Sequence, residues 1–200
     1  MNIETLIDIA IGIYTKESPE VKDLLIHIEA MNDLIAKGTV HNDFGLNEIE
    51  ILALIMLEEF AYKSIQQAAF NDIYLNDYNE ILINSLDNAL LKIPRTSHDT
   101  LYRQDRDYYK IPENGEILKF KGFFTTSKDD FDNTYNIKWV IKPFPNGLTK
   151  AHDIYLVYNK GCNLPYPEWQ VEFERNRKFF VTKVVPTDIF TEVYISELED

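Results

Sequence analysis

The sequence predicts an α+β fold in which helices come first and strands follow. Before Pro94 the apolar residues recur with helical spacing, whereas after Pro94 short β-rich runs alternate with glycine, proline, asparagine and aspartate. Helices followed by strands are typical of α+β proteins, and no linker-like stretch separates the two halves. We therefore expect residues 1–200 to form a single domain, with a helical half over 1–94 and a β-rich half over 95–200.

Each of the four predicted helices shows an apolar stripe, and some also have clear start or stop signals. The second opens with Ser18 as N-cap and Pro19 in the first turn, and it ends at Gly38. Pro94 ends the fourth, because proline lacks an N–H and its ring clashes with the preceding turn. The four segments are IETLIDIAIGIY, SPEVKDLLIHIEAMNDLIAKG, LNEIEILALIMLEEFAYKSIQQAAF and NDYNEILINSLDNALLKI.

The second half contains a series of β-rich runs. They combine β-branched and aromatic residues and are bounded by turn-forming residues, which is the pattern of short strands. The predicted runs are DTLYRQD, EILKFKGFFTTS, NIKWVIKPF, DIYLVYN, EWQVEF, KFFVTKVV and FTEVYIS.

Composition excludes several classes of protein. The 33 acidic residues outnumber the 20 basic ones, and the net charge of −13 disfavours binding of nucleic acid or anionic membranes by charge alone. One cysteine, Cys162, excludes an internal disulfide, and the cysteine and histidines lack metal-ligand spacing. There is no run of about 18 apolar residues and no secretory leader pattern. We expect a cytoplasmic protein, or one delivered into a target cell by a non-Sec route.

Three segments of the β-rich half carry candidate site residues. In chain order they are TLYRQD, KGFFTTSKD and PEWQVEFERNRKFFV. Taken singly, each has an ordinary explanation as a surface arginine, a turn cap or a charged edge strand. The residues of interest are Arg103; the hydroxyl trio Thr125, Thr126 and Ser127; and the alternating Glu168, Gln170, Glu172 and Glu174.

Together the three segments resemble the bacterial toxin-like branch of the ADP-ribosyltransferases, which carries an arginine, a Ser-Thr-Ser run and a Glu-x-Glu pair in this order. The resemblance runs from about residue 102 to the C-terminus. It implies a transferase (a glycosyltransferase of bacterial or phage origin) that takes NAD as substrate, needs no metal and acts as a toxin or effector. It also implies a helical half packed on a split β-sandwich that binds NAD. The matching residues are Tyr102-Arg103, Gly122-Phe123-Phe124-Thr125-Thr126-Ser127, and Tyr166-Pro167-Glu168-Trp169-Gln170-Val171 with Lys178-Phe179-Phe180-Val181.

The resemblance assigns roles to the matched residues. Arg103 would grip the NAD phosphates, since a planar guanidinium fork suits phosphate, and Gln104 would lie beside it. The hydroxyl trio would line the NAD cleft and orient the catalytic glutamate, and Phe131 or Tyr135 would stack on nicotinamide. The second glutamate of the pair would place negative charge beside a ribose that resembles an oxocarbenium ion.

The pair departs from the family pattern at Gln170. Counting back from Lys178 puts the second glutamate of the pair at position 170, where the chain has an amide. The first residue of the pair is then Glu168. A glutamate at that first position favours an arginine acceptor. Gln170 would then inactivate the chain, either in a natural relative or, as we prefer, because a glutamate was replaced. The alternative is a shifted pair, in which Gln170 is the first residue and Glu172 the catalytic second one. These two residues also share one strand face, but Glu172 lies two residues closer to Lys178 than the family spacing requires. In family members that modify asparagine or glutamine, the first residue is Gln.

Three functions therefore stay open. The first is a mono-ADP-ribosyltransferase that acts on a macromolecule, which we expect to be protein arginine, and that does not involve a membrane. The second is the same chemistry on nucleic acid, for which local basic residues leave room despite the net charge. The third is a catalytically dead module that binds NAD or another protein.

Overall fold

The computed structural model describes residues 1–58, 62–70, 75–105, 110–130, 135–158 and 169–199. The chain divides into two compact units. One contains Met1–Ile93 with a segment that begins at Leu156, and the other contains Pro94–Tyr155 with the C-terminal strands. The boundary falls at the predicted change from helices to strands. The expected single domain over residues 1–200 stays a prediction.

Helices make up the first unit, and their starts follow from side-chain caps. Asn2, Ser18 and Asn76 each accept a hydrogen bond from the backbone N–H three residues ahead. The first, second and fourth predicted helices are confirmed. The third corresponds to two described helices, with residues 59–61 outside the described part of the chain. The helices are α1 (Ile3–Tyr14), α2 (Pro19–Ala36), α3 (Glu48–Glu58), α4 (Tyr62–Phe70) and α5 (Asp77–Lys92).

Helix α3 is the buried centre of this unit. Every residue from Ile49 to Leu57 is at most 4% exposed, as expected of a helix that is apolar nearly all round. The charged member of this run is Glu50, whose carboxylate lies 2.7 Å from the Lys92 ammonium of α5. A charge partner is what a buried carboxylate requires. None of the described helices is long and apolar enough to cross a membrane.

The second unit contains a mixed eight-stranded sheet. The strand order is β2-β7-β8-β4-β1-β3-β6-β5, in which β4 and β8 run parallel and the other neighbours antiparallel. The strands are β1 (Leu101–Asp105), β2 (Ile117–Phe120), β3 (Phe124–Ser127), β4 (Ile137–Lys142), β5 (Ala151–His152), β6 (Gln170–Phe173), β7 (Arg177–Pro186) and β8 (Thr191–Glu197).

Six of the predicted β-rich runs contain strands, and one prediction is wrong. The segment DIYLVYN holds a short helix, α6 (Tyr155–Tyr158). Ile154 and Val157 are both fully buried, and their spacing of three residues suits a helical turn. Burial therefore outweighs the local β-propensity of this segment. Strand β5 was not predicted, because two residues carry too little pattern.

The sheet curls, so that one face encloses an apolar core. Phe124 of β3 lies 5.4 Å from Phe179 of β7 between ring centroids, although three strands separate β3 from β7 in the sheet. Trp139 of β4 approaches the same Phe124 ring edge-on at 6.5 Å. Aromatic rings prefer such edge-to-face and tilted contacts. The predicted order of helices followed by a sheet is confirmed.

Glu197, at the end of β8, fixes the connection between β4 and β5. Its Oε2 accepts hydrogen bonds from the Thr149 hydroxyl at 2.6 Å and the Phe144 N–H at 2.8 Å, and its Oε1 accepts one from the Lys150 N–H at 2.9 Å. The carboxylate is buried. Its charge is therefore distributed over these donors, two of which belong to the backbone.

We expect Glu197→Gln to lower the free energy of unfolding by about 1–3 kcal/mol, because an amide N–H₂ would face donors where a carboxylate oxygen now accepts. Urea denaturation would measure this loss of stability, and we expect the m-value to stay unchanged. The matched control is Glu199→Gln at an exposed position, which should shift stability by less than about 0.5 kcal/mol. Equal stability of the two variants would contradict the role assigned to Glu197.

Candidate active site

Adjacent strands of the sheet carry the predicted site residues. β1, β3 and β6 are neighbours, and their ladders pair Tyr102 with Ser127 and Ser127 with Gln170. Segments that are far apart in sequence therefore meet across three strands. The structure places the strands that carry Arg103, the hydroxyl trio and Gln170 side by side, and the ladders put Tyr102 on the face of Ser127 and Gln170 and Arg103 on the opposite face, with Phe124 and Trp139.

The β3–β6 register sorts these residues onto two faces. The Thr126 hydroxyl donates to the carbonyl of Val171 at 2.7 Å, and Val171 belongs to the apolar core. Since alternate strand residues point to opposite faces, the polar pairs lie on the other side of the sheet. Those pairs are Thr125 with Glu172, and Ser127 with Gln170.

Glu172 is the most unusual titratable group of this face. Its side chain is 0% exposed, and burial raises its pKa to about 8, although the Thr125 hydroxyl and the Arg103 guanidinium both favour the ionised form. Within the described ranges, neither carboxyl oxygen accepts a hydrogen bond of good geometry. A buried carboxyl with unfilled acceptors and a displaced pKa is typical of a functional position.

Arg103 is held by contacts on several sides. Its Nε donates to Asp105 Oδ2 at 2.8 Å, its Nη2 donates to Asp105 Oδ1 at 2.9 Å, and its Nη1 donates to the carbonyl of Thr125 at 2.9 Å. The guanidinium carbon lies 5.0 Å from the centroid of the Phe124 ring. The sequence reasoning missed Asp105, although an acid two residues after an arginine on a strand shares its face.

His152 is a second residue that the sequence reasoning missed. It pairs with Glu172 across the β5–β6 ladder, which completes a row of Thr125, Glu172 and His152 over three strands. The ring is buried, and its Nε2 lies 3.1 Å from Glu174 Oε1. That hydrogen bond holds the pKa of Glu174 below its ordinary range. No sequence signal pointed to His152, because strand β5 was not predicted.

An aromatic pair adjoins Gln170 at the end of the β3–β6 ladder. The Lys128 ammonium lies 3.6 Å from the centroid of the Tyr155 ring and 4.4 Å from that of Trp169. The Lys128 N–H also donates to the carbonyl of Trp169 at 3.0 Å, which extends the ladder by one step. Burial lowers the pKa of Lys128.

The remaining predicted site residues are Gln104, Tyr135, Glu168 and Phe131. Gln104 is half-buried and pairs with Lys138 in the β1–β4 ladder, and Tyr135 is exposed. Glu168 and Phe131 lie outside the described residues. The roles predicted for these residues stay predictions. In the described part of the chain, no group of three histidine, cysteine or acidic side chains is arranged to hold a metal ion.

Comparison with solved structures shows that the chain has the fold of the bacterial mono-ADP-ribosyltransferase toxins, as the sequence predicted. Exoenzyme S from Pseudomonas aeruginosa matches with a TM-score of 0.63 and 13% identity over 98% of this chain and 88% of that one. The type III effector XopAI from Xanthomonas axonopodis matches with a TM-score of 0.64 and 13% identity over 98% and 87%. The Vis toxin from Vibrio splendidus matches with a TM-score of 0.57 and 16% identity over 89% and 86%. No protein-family model matches the sequence, and neither does any curated protein.

Proposed function

We propose that this protein is a mono-ADP-ribosyltransferase toxin or effector that moves ADP-ribose from NAD to a protein, with Glu172 as its catalytic carboxylate. The observation that carries the proposal is the buried Glu172 carboxyl, which has unfilled acceptors and lies beside Thr125 and within electrostatic reach of Arg103. The shared fold supports it as well, since Exoenzyme S has been seen bound to carba-NAD.

The reaction requires negative charge at this point. The bond between ribose C1′ and nicotinamide breaks, and its electron pair leaves with neutral nicotinamide. An acceptor nitrogen then bonds to C1′ and gives up a proton. Positive charge develops on the ribose in between, and an ionised carboxylate beside it lowers the barrier. The cationic nicotinamide ring of bound NAD favours ionisation of Glu172, which offsets the effect of burial on its pKa.

The polar pairs of the β3–β6 ladder support Glu172 over residue 170 for this role. The resemblance implies that the hydroxyl trio orients the catalytic glutamate, and the Thr125 hydroxyl is the one that favours the ionised carboxyl of Glu172. Gln170, opposite Ser127, is an amide and cannot supply a charge. We therefore propose the shifted pair of Gln170 and Glu172, which requires no replaced glutamate.

In this register the first residue of the pair is an amide, and this bears on the acceptor. A carboxamide can exchange one N–H···O hydrogen bond in each direction with the side chain of an asparagine or glutamine. A guanidinium offers only donors and is matched best by a carboxylate. We therefore propose an asparagine or glutamine acceptor in place of the arginine expected from Glu168. In the related fold of Vis, by contrast, agmatine is bound.

The experiment uses NAD labelled in its adenylate half, mixed with the purified protein and a cell extract. We expect nicotinamide release together with label on protein, and mass spectrometry should place the ADP-ribose on asparagine or glutamine. Transfer to agmatine would instead support the arginine acceptor. Label on RNA or DNA would support the nucleic-acid alternative, and failure to bind NAD in calorimetry would leave only a protein-interaction module.

A further inference from the structure

We propose that Asp105 is a positioning residue that aligns Arg103 for the phosphates of NAD. This inference rests on the proposed function, in which Arg103 contacts those phosphates. Asp105 follows Arg103 by two residues on β1, so both side chains leave the strand on the same face. Asp105 is 5% exposed, and a carboxylate at that depth requires a specific set of partners.

The partners of Asp105 fix the carboxylate from two sides. Oδ2 accepts from Arg103 Nε at 2.8 Å and from the Trp139 indole N–H at 2.9 Å, while Oδ1 accepts from Arg103 Nη2 at 2.9 Å. Trp139 is itself buried among the aromatic rings of the core. The rigid core therefore holds the carboxylate, and the carboxylate holds one edge of the guanidinium.

This arrangement sets the orientation of a side chain that would otherwise sample many rotamers. Fixing an arginine side chain costs rotamer entropy, and here the protein fixes it before NAD arrives. Nη1 meanwhile donates to the backbone of Thr125, whose side chain adjoins Glu172. Arg103, held by Asp105, is thereby also bound to the backbone of β3, the strand that pairs with β6 and Glu172.

If Asp105 acted only through its charge, Asp105→Asn would change the KM for NAD in one direction, and if it positions Arg103, in the opposite direction. A negative charge near the phosphates weakens their binding, so its removal alone would lower the KM for NAD. If Asp105 positions Arg103, the same change releases one edge of the guanidinium, and we expect the KM for NAD to rise about tenfold with little change in kcat. A lower or unchanged KM would overturn the proposal.

A double-mutant cycle tests whether Asp105 acts through Arg103. Arg103→Lys alone should raise the KM for NAD, because lysine lacks the fork, and adding Asp105→Asn to it should have no further effect. Full additivity would overturn the inference about Asp105. An Arg103→Lys variant with an unchanged KM would instead remove the phosphate role of Arg103 from the proposed function.

Three further measurements separate positioning from loss of structure. Glu197→Gln is the matched control, since it alters another buried carboxylate of the same sheet with three hydrogen bonds, and it should leave the KM for NAD unchanged. Trp139→Phe removes the indole donor to Asp105 and should also raise the KM for NAD. This variant tests the same link if Asp105→Asn does not fold. In NMR spectra of the wild type, the Trp139 indole N–H signal should shift when NAD binds, and a signal that does not respond would count against the link.

Discussion

Glu172→Gln should slow the release of nicotinamide from NAD by roughly a hundredfold to a thousandfold, the usual loss when one charge-stabilising group is removed from a transition state. The variant keeps the size and shape of the side chain but cannot carry the negative charge. NAD should still bind, because the phosphate contacts are unaffected. The measurement is a single-turnover assay at saturating NAD, and the wild-type kcat/KM should rise with pH toward the Glu172 pKa of about 8.

Gln170→Glu is the matched comparison for this prediction. It adds a carboxylate opposite Ser127, two residues away from the proposed catalytic position. We expect no gain in activity from it, in either the wild type or the Glu172→Gln background. The opposite pattern, with activity created by Gln170→Glu and unaffected by Glu172→Gln, would return the catalytic position to residue 170.

Glu172→Gln should also stabilise the fold, and increasingly so as the pH rises. The pKa of Glu172 is 4.5 in its ordinary state and about 8 in the folded protein, so folding takes up a proton between these values. Wild-type stability contributed by this group is therefore present below pH 4.5 and is lost progressively up to about pH 8. The loss is roughly 5 kcal/mol at most, and a glutamine does not titrate.

Urea unfolding at several pH values would show this as a widening gap between the variant and the wild type. Glu174, whose pKa is lowered, contributes the opposite slope at low pH, but it is present in both proteins and cancels in their difference. The gap should become constant above about pH 8. A gap that does not change with pH would mean that Glu172 is not buried in a protonated form.

Local signals in the sequence were sufficient for most of the fold. Ser18 and Pro19 mark a helix start through the chemistry of one turn, and Pro94 marks the change from helices to strands. The segment around Tyr155 was predicted wrongly, because the helical turn there depends on burial that a local pattern does not encode.

The site was harder to predict than the fold, because it depends on pairing between strands. The preference for Gln170 came from counting residues along the chain to Lys178. Which side chain faces Thr125 is set instead by the hydrogen-bond register of β3 and β6, where a step of two residues exchanges Gln170 for Glu172. Asp105 could have been predicted from the sequence, because it follows Arg103 by two residues on the same strand. His152 could not, because strand β5 was not predicted.

The aromatic cluster of the curled sheet has a consequence for how this protein can evolve. Phe124 underlies the Arg103 guanidinium and Trp139 supports Asp105, yet both rings also pack in the core that closes the sheet. A change at either position is therefore subject to two kinds of selection at once, for a stable sheet and for a well-placed arginine. Substitutions there should be accepted only in compensated combinations, while the acidic surface is free to diverge.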